Sequence, residues 1–559
     1  MKKSSIKSVA TLTFMLLTTI HSYSDDKRWS SEIKTGRSIV RAQHGMVASS
    51  QPLASQVGLE ILKRGGNAVD ASIAMAAVLN VTEPMMTGIG GDMFALVYWA
   101  KAGELKGLNA SGRAPRALNL DHFKKKGIGS MPDFGMEPIT VPGAVDGWVS
   151  LLEKYGTMKL ADLLAPAIEY AENGYPVMEK AAADWADAVT KLKRTPASTA
   201  NYLIDGRAPR AGEIFHQKNL ARTLRTLARG GRDAFYKGEI AQAIVDYCQK
   251  NGGFLSMQDF ADNKPEWVEP ISTDYRGYKV FECPPNGQGL TALLTLNILE
   301  GFDLASMSTK PDLYYHTLIE ATKLAFADRD KYIADPAFSK VPVAELLSKE
   351  YAAERRALIH PDSVIQTPEP GHLANHSDTV YFTVVDKDRN AVSFINSLFE
   401  SFGSGLTAGD TGIVLHDRGL GFSLDPNHAN RLEPGKRPFH TIIPSMVFKD
   451  GKLLMTFGVM GGAIQPQGHV QVLANLIDMG MNIQQAIEAP RYRYLDGNRV
   501  LFEDAMTEPV IKSLIARGHQ RGSQPGASMG GGQAIMIDPA TGALMGASDP
   551  RKDGMALGY

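Results

Sequence analysis

The strongest constraint on this chain lies two thirds of the way along it. From His360 to Asp378 the sequence HPDSVIQTPEPGHLANHSD carries three prolines, many polar residues and no sustained periodicity, which is the composition of a linker. Directly behind it, Thr379 to Val385 (TVYFTVV) is a β-branched and aromatic strand. Asp386 to Asn390 reads as a turn and Ala391 to Phe399 as a second strand, so a hairpin begins at Thr379. A threonine that opens a strand just after a linker suits a chain cut between Asp378 and Thr379. The freed α-amino group, with a pKa near ~8, would serve as general base for the hydroxyl of its own residue, with no His/Asp partner required. The same residues also suit an ordinary strand start, since β-branched residues are enriched in strands.

Elsewhere the pattern alternates helices and strands. Leu53 to Asn80 has apolar residues at helical spacing, interrupted by Gly65-Gly66 and restarted at Asn67, and predicts two packed helices with Asn67 as a cap. The glycine-rich turn Thr87 to Asp92 leads into the apolar run Met93 to Trp99, a buried strand. Helical patterns dominate from about Ala144 to Cys248, and Thr273 to Gly289 switches to strand composition ending in a Pro-Pro/Gly loop. Two more hairpins are predicted, Ile442 to Phe448 with Leu453 to Phe457, and Ala534 to Ile537 with Ala543 to Ala547. Neither internal repeats nor heptads are evident. Residues 1–24 read as a secretory signal: Lys2, Lys3 and Lys7 precede a mostly apolar run, Val9 to Ile20, and the small residues Ser22 and Ser24 flank Tyr23 before Asp25. That run is shorter than the ~20 residues needed to span a bilayer. The expectation is export, to the periplasm if the host is a Gram-negative bacterium, with no membrane span after signal removal.

The balance of 59 Lys+Arg against 60 Asp+Glu leaves no positive excess to neutralise a phosphate backbone, which argues against a nucleic-acid partner. Hydrophobic residues at 44% and charged residues at 21% exclude a wholly disordered or disulfide-framework chain. The 559 residues allow a large core, or three to four domains at ~150 residues each. Cys248 and Cys283 lack zinc-site spacing, and His428, His440 and His469 form no recognisable ligand pair, so no metal is predicted. Gly88-Ile-Gly-Gly91 lacks the spacing of a phosphate loop and reads as a tight turn.

Several separated segments resemble the γ-glutamyltransferase (γ-glutamyltranspeptidase) family: GMVASSQPLASQVGLEILKRGGNAVDASIA, EPMMTGIGGDMF, DYRGYKVFECPP, DTVYFTVVDKDRNAVSFINSLFESFGSG, GVMGG and the terminal GASDPRKDGMALGY. The resemblance runs from about Gly45 to Tyr559. It implies an α+β fold, a four-layer αββα sandwich of the N-terminal-nucleophile hydrolase type. A precursor of this type cuts itself into a large chain (25–378) and a small chain (379–559) that form one intertwined catalytic domain. Thr379 then matches the family's nucleophile, and Ser397 a threonine that positions its amine. Gly461 and Gly462 match the pair whose N–H groups bind the oxyanion. The implied chemistry is acyl transfer from a glutathione-like γ-glutamyl amide to water or to an amino-acid or peptide acceptor, without cofactor.

The resemblance weakens around the acyl group. Where family members hold an α-carboxylate with an arginine, this chain has Ser111, with Arg113 two residues on; Phe399 replaces a usual asparagine, and His440-Thr441 replaces a Ser-Ser pair. Arg113 is either a carboxylate clamp or a structural ion pair. His440 is either a donor to substrate or a structural histidine. These replacements, and the Arg-Pro-Phe-His-Thr run at 437–441, resemble a subset of the family that acts on smaller amides such as oxamate. A non-catalytic scaffold is the reading from a different class.

Overall fold

The computed structural model of the chain describes residues 36–366, 378–524 and 528–559. Period-two alternation of side chains generates two antiparallel sheets. Their strands, in chain order, are β1 (Val40–Ala42), β2 (Met46–Ser49), β3 (Asp92–Trp99), β4 (Glu104–Ala110), β5 (Glu266–Val268), β6 (Ile271–Tyr275), β7 (Tyr278–Glu282), β8 (Asp378–Val385), β9 (Ala391–Phe399), β10 (Ser445–Lys449), β11 (Lys452–Met460), β12 (Gly531–Ile537), β13 (Leu544–Ser548) and β14 (Met555–Gly558). One sheet runs β1-β13-β12-β11-β10-β7-β6 and the other β14-β2-β8-β9-β3-β4-β5.

In β3, Phe94 and Leu96 join the apolar layer between the sheets with Met46, Tyr381, Ile395, Met446 and Ile535. Their neighbours Met93, Ala95 and Val97 pack outward. Strands buried on both faces in this way need helices outside them. On the β3 side these are α1 (Pro52–Lys63), α2 (Ala68–Thr82) and α3 (Ala144–Tyr155), which contribute Ile61, Ile73 and Trp148 to one core. Against the other sheet lie α4 (Gly289–Leu299), α5 (Pro311–Tyr332) and α6 (Ile464–Ile477), whose Leu293, Leu318 and Val470 pack with Val280 and Phe457. The layers are helix, sheet, sheet, helix, the αββα sandwich that the resemblance implied, and Ser38–Tyr559 form one compact unit rather than several domains.

The predicted helix pair is present. Asn67 caps α2 by accepting from the N–H groups of Val69 and Asp70, and Asp70 returns a bond to the Asn67 N–H. The hairpin β8–β9 has the predicted boundaries apart from Asp378, which is already in the ladder. The hairpin predicted from Ile442 begins three residues later, at Ser445. Pro444 has no N–H to offer a ladder, and the Ile442 and Ile443 amides bond instead to the side chains of His440 and Gln465. Cys248 and Cys283 are both buried and unpaired. Among the described residues no helix is long and apolar enough to cross a membrane. The predicted signal and residues 367–377 of the linker lie outside the described residues.

Strands from both sides of residue 378 alternate within each sheet: β8 and β9 lie between β2 and β3, and β10 and β11 between β7 and β12. A break before Thr379 therefore leaves both pieces built into both sheets. Ile395→Ala, which opens a cavity in the layer between the sheets, is expected to cost about 2–5 kcal/mol, read as a lowered denaturant midpoint at unchanged slope.

Candidate active site

Thr379 is the second residue of β8. Two contacts fix how that strand faces the opposite sheet. Thr383 Oγ1 lies 2.8 Å from Thr456 Oγ1, and the Tyr381 ring packs on Gly458, where a Cβ would come within 2.5 Å of it. Each step of two along β8 is thus a step of two back along β11. Beyond Gly458, β11 runs on to Met460 and the turn Gly461-Gly462, which lies between β11 and α6. Both glycines are left-handed, with φ of +117° and +70°, a conformation that disfavours any residue with a Cβ. The Gly462 carbonyl accepts from Gln288 Nε2 at 3.0 Å and from the Gln465 N–H at 3.0 Å.

A chain of hydrogen bonds connects this turn to the nucleophile candidate. Gln288 Nε2 also donates to the Thr441 carbonyl at 2.7 Å. The Thr441 hydroxyl accepts from Arg418 Nη1 at 3.0 Å, and Arg418 Nη2 donates to Ser397 Oγ at 2.8 Å. Ser397 Oγ is 3.2 Å from Thr379 Oγ1. It also accepts from the Phe399 N–H at 2.9 Å. A hydroxyl has two lone pairs and one hydrogen. Phe399 and Arg418 thus both donate to Ser397 Oγ, which also stands in hydrogen-bond contact with the Thr379 hydroxyl.

The candidate scissile bond lies at an irregularity. The β8–β9 ladder shifts register between Asp378 and Val380, and Phe399, opposite Asp378, has φ +82°. Left-handed backbone at a bulky residue stores strain of order 1–3 kcal/mol and persists only where its surroundings hold it. The ring of Phe399 lies against Arg418, 4.3 Å from centroid to guanidinium carbon.

Beneath this chain lies Asp92. Its Oδ1 accepts from the N–H groups of Gly112 and Gly143, and its Oδ2 from His440 Nε2 at 3.1 Å, with His416 Nδ1 at 3.6 Å. Burial alone would raise the Asp92 carboxyl; the facing His416, His440 and Arg418 outweigh it and hold the group below its ordinary range. Burial lowers Arg418 to about 10, against the pull of Asp92 and Asp417, so it is a cation at neutral pH. Burial and the nearby Arg418 lower His440 to about 3, so it is neutral there.

Of the residues expected from sequence, Thr379, Ser397, Phe399 and Thr441 meet directly or through Arg418, and Gly462 joins them through Gln288. His440 departs from the expectation of a substrate donor: both ring nitrogens are engaged, Nε2 with Asp92 and Nδ1 with the Ile442 N–H. Arg113 is also engaged elsewhere, donating to the Gly435 carbonyl at 3.1 Å and lying 3.6 Å from Asp335. Ser111 accepts from Asn286. Sequence reasoning missed Arg418, Gln288, His416 and Asp92. Asp92 had a signal, since it closes the glycine-rich turn, and Gly91 of that turn sits so close to the Ser397 carbonyl that a Cβ would be 2.3 Å from it.

A second polar cluster lies apart from these residues, where His316, Glu320 and His519 offer atoms within 4.8 Å of one another. His316 Nδ1 is 2.8 Å from His519 Nε2, and the Lys323 ammonium sits 3.0 Å from Glu320. With Lys323 supplying the cation, the cluster is a buried anchor: it binds the His360 carbonyl and both backbone groups of Ile365.

The four-layer αββα sandwich is that of the N-terminal-nucleophile hydrolases. The profile of the family described as Gamma-glutamyltranspeptidase matches residues 54–559, and the chain belongs to that family of hydrolases and transferases. It is 44% identical over 523 residues to the glutathione hydrolase-like YwrD proenzyme of Bacillus subtilis, covering 92% of this chain and 98% of that protein. It is 35% identical over 529 residues to the oxamate amidohydrolase proenzyme of Klebsiella pneumoniae, covering 92% and 98%. The crystal structure of a cephalosporin acylase from Bacillus halodurans superposes with a TM-score of 0.89 at 47% identity, covering 95% of this chain and 98% of that one.

Two outcomes are expected. Ser397→Ala should slow amide hydrolysis about 100-fold through misplacement of the Thr379 hydroxyl, while Ser397→Thr, which keeps the donor, should retain most of the rate. For His440, the unfolded chain takes up a proton near pH 6.5 while the folded chain does so only near 3. Its contribution to stability is therefore complete above pH 6.5 and is lost as the pH falls from there toward 3. Denaturant midpoints between pH 7 and 5 should fall less steeply in His440→Gln than in the wild type.

Proposed function

We propose that the chain is a precursor that cuts itself before Thr379, and that the new terminus hydrolyses amides of small carboxylic acids through an ester on Thr379. The observation that carries this reading is the 3.2 Å contact between the buried hydroxyls of Thr379 and Ser397 at the start of the strand behind the proposed cut. In the precursor, Thr379 Oγ1 attacks the Asp378 carbonyl carbon, its proton passes to the amide nitrogen, and the C–N bond breaks to free the α-amine as the C–O ester forms. Water then hydrolyses the ester to the Asp378 carboxylate and the Thr379 hydroxyl. In the mature enzyme that α-amine takes the Thr379 proton as Oγ1 attacks the substrate carbonyl. The Gly461 and Gly462 N–H groups stabilise the oxyanion, and the protonated amine hands its proton to the leaving nitrogen. Water, or an acceptor amine, then resolves the ester by the reverse proton path.

The relatives named as proenzymes support the processing step. A second reading, γ-glutamyl amides as in glutathione, is favoured by the relative named glutathione hydrolase-like. The smaller acyl group is favoured by Ser111 at the position of the family's arginine and by the engagement of Arg113 with Gly435 and Asp335. Residues 1–24 make export part of the same proposal.

Denaturing electrophoresis and N-terminal sequencing should show two chains, the smaller beginning Thr379-Val380. Thr379→Ala should remain one chain and lose more than about 1,000-fold in turnover. A wild-type chain that stays whole and inactive would favour the scaffold reading.

A further inference from the structure

Arg418 holds an unusual position for a cation. Its side chain is fully buried. It stacks on Phe399 and donates to two neutral hydroxyls, those of Ser397 and Thr441. Its Nε has no partner, and no carboxylate among the described residues forms an ion pair with it. Removing a guanidinium from water without a direct counter-charge is costly, and such a group is retained where something charged arrives to meet it. Asp92 and Asp417 pull on it at longer range, and Asp92 already accepts from two glycine N–H groups and from His440.

Resting on the reading of Thr379 as nucleophile, we propose that Arg418 receives a carboxylate on the acyl half of the substrate, and that the preferred substrates are monoamides of short dicarboxylic acids. Because Ser397 Oγ touches both, Arg418 Nη2 lies no more than 6.0 Å from Thr379 Oγ1. A carbonyl carbon ready for attack sits about 3–3.5 Å from the nucleophile, and a carboxylate oxygen accepts from a guanidinium at about 2.7–2.9 Å. Only a few atoms fit between the two carbons, as in oxamyl to glutaryl groups. The acyl half is the part that faces Arg418. The leaving nitrogen must face the Thr379 α-amine, which protonates it, whereas Arg418 is tied to the hydroxyls that lie between the nucleophile and the oxyanion turn. Asp92 is already engaged, and Asp417 Oδ2, buried without a hydrogen-bond partner, belongs to a carboxyl that burial and Glu400 raise to about 7. An α-ammonium therefore gains less here than the carboxylate does, and glutaryl suits the site better than γ-glutamyl.

The test is kcat/KM for ammonia release by the processed enzyme from the monoamides of oxalic, malonic, succinic and glutaric acids. Each is compared with a neutral amide of the same length. The wild type should prefer the charged member of at least one pair by about 100-fold or more. Arg418→Gln should reduce that preference to a few-fold, and Arg418→Lys should keep part of it. Loss of rate on both members of a pair with an unchanged ratio would show that Arg418 only positions Ser397, and would overturn the proposal. So would a wild type with no preference, a preference for amides carrying the carboxylate only on the amine half, or glutamine outpacing glutaric monoamide. If Arg418→Gln stays uncut, inhibition of the wild type decides: free dicarboxylates should inhibit at least tenfold more tightly than monocarboxylates of equal length, and equal inhibition would sink the idea. Thr379→Ala separates the two levels of the argument. Full turnover in that variant refutes the nucleophile itself, whereas indifference to charge in an enzyme that still needs Thr379 refutes only the role of Arg418.

Discussion

The structure depends on keeping a group of hydroxyls in the layer between two sheets, where bulk water does not reach. A buried polar group in such a layer is costly unless another polar group satisfies it. Thr379, Ser397 and Thr441 are all nearly or fully buried there, and each hydroxyl is held by the next. The chain that runs from Gly462 through Gln288, Thr441, Arg418 and Ser397 to Thr379 is the consequence. It sets the geometry of the site through contacts that run from Gln288 to Ser397.

Asp92 stabilises this arrangement from below. It gathers Gly112, Gly143 and His440 around one ionised carboxylate and balances the Arg418 charge at longer range. The histidines beside it are lowered by burial, while burial and Glu400 raise Asp417, the residue before Arg418, to about 7. The left-handed Phe399, the shifted ladder at Asp378 and the two left-handed glycines are the irregular points of otherwise regular strands. All lie within a few residues of the proposed chemistry, where stored strain is most often found.

Much of the fold was legible because alternation and capping are local. The β8–β9 hairpin, the α1–α2 pair with Asn67 as its cap, and the strand after the glycine-rich turn follow from spacing alone. The layer order came from family resemblance, since no local pattern says which sheet faces which. Thr379, Ser397 and the glycine pair are nominated by the motif positions they occupy. Arg418, Gln288 and Asp92 were missed because their roles arise from contacts across 20 to more than 300 residues of sequence, which a single chain read in order does not display. His440 and Arg113 were given substrate roles for the opposite reason. Each stands beside a motif position, but tertiary contacts engage one with Asp92 and the other with Gly435 and Asp335.

The account stands or falls on the atom that carries the acyl group. Acid quenching of the processed enzyme during turnover of a chromogenic amide, followed by intact mass measurement and fragmentation of the small chain, reads it directly. The account predicts an added acyl mass on the N-terminal residue of that chain, assigned to the Thr379 side chain as an ester that hydroxylamine releases. An adduct on any other residue, or turnover in which no small-chain adduct forms under conditions where acylation outruns hydrolysis, would contradict it.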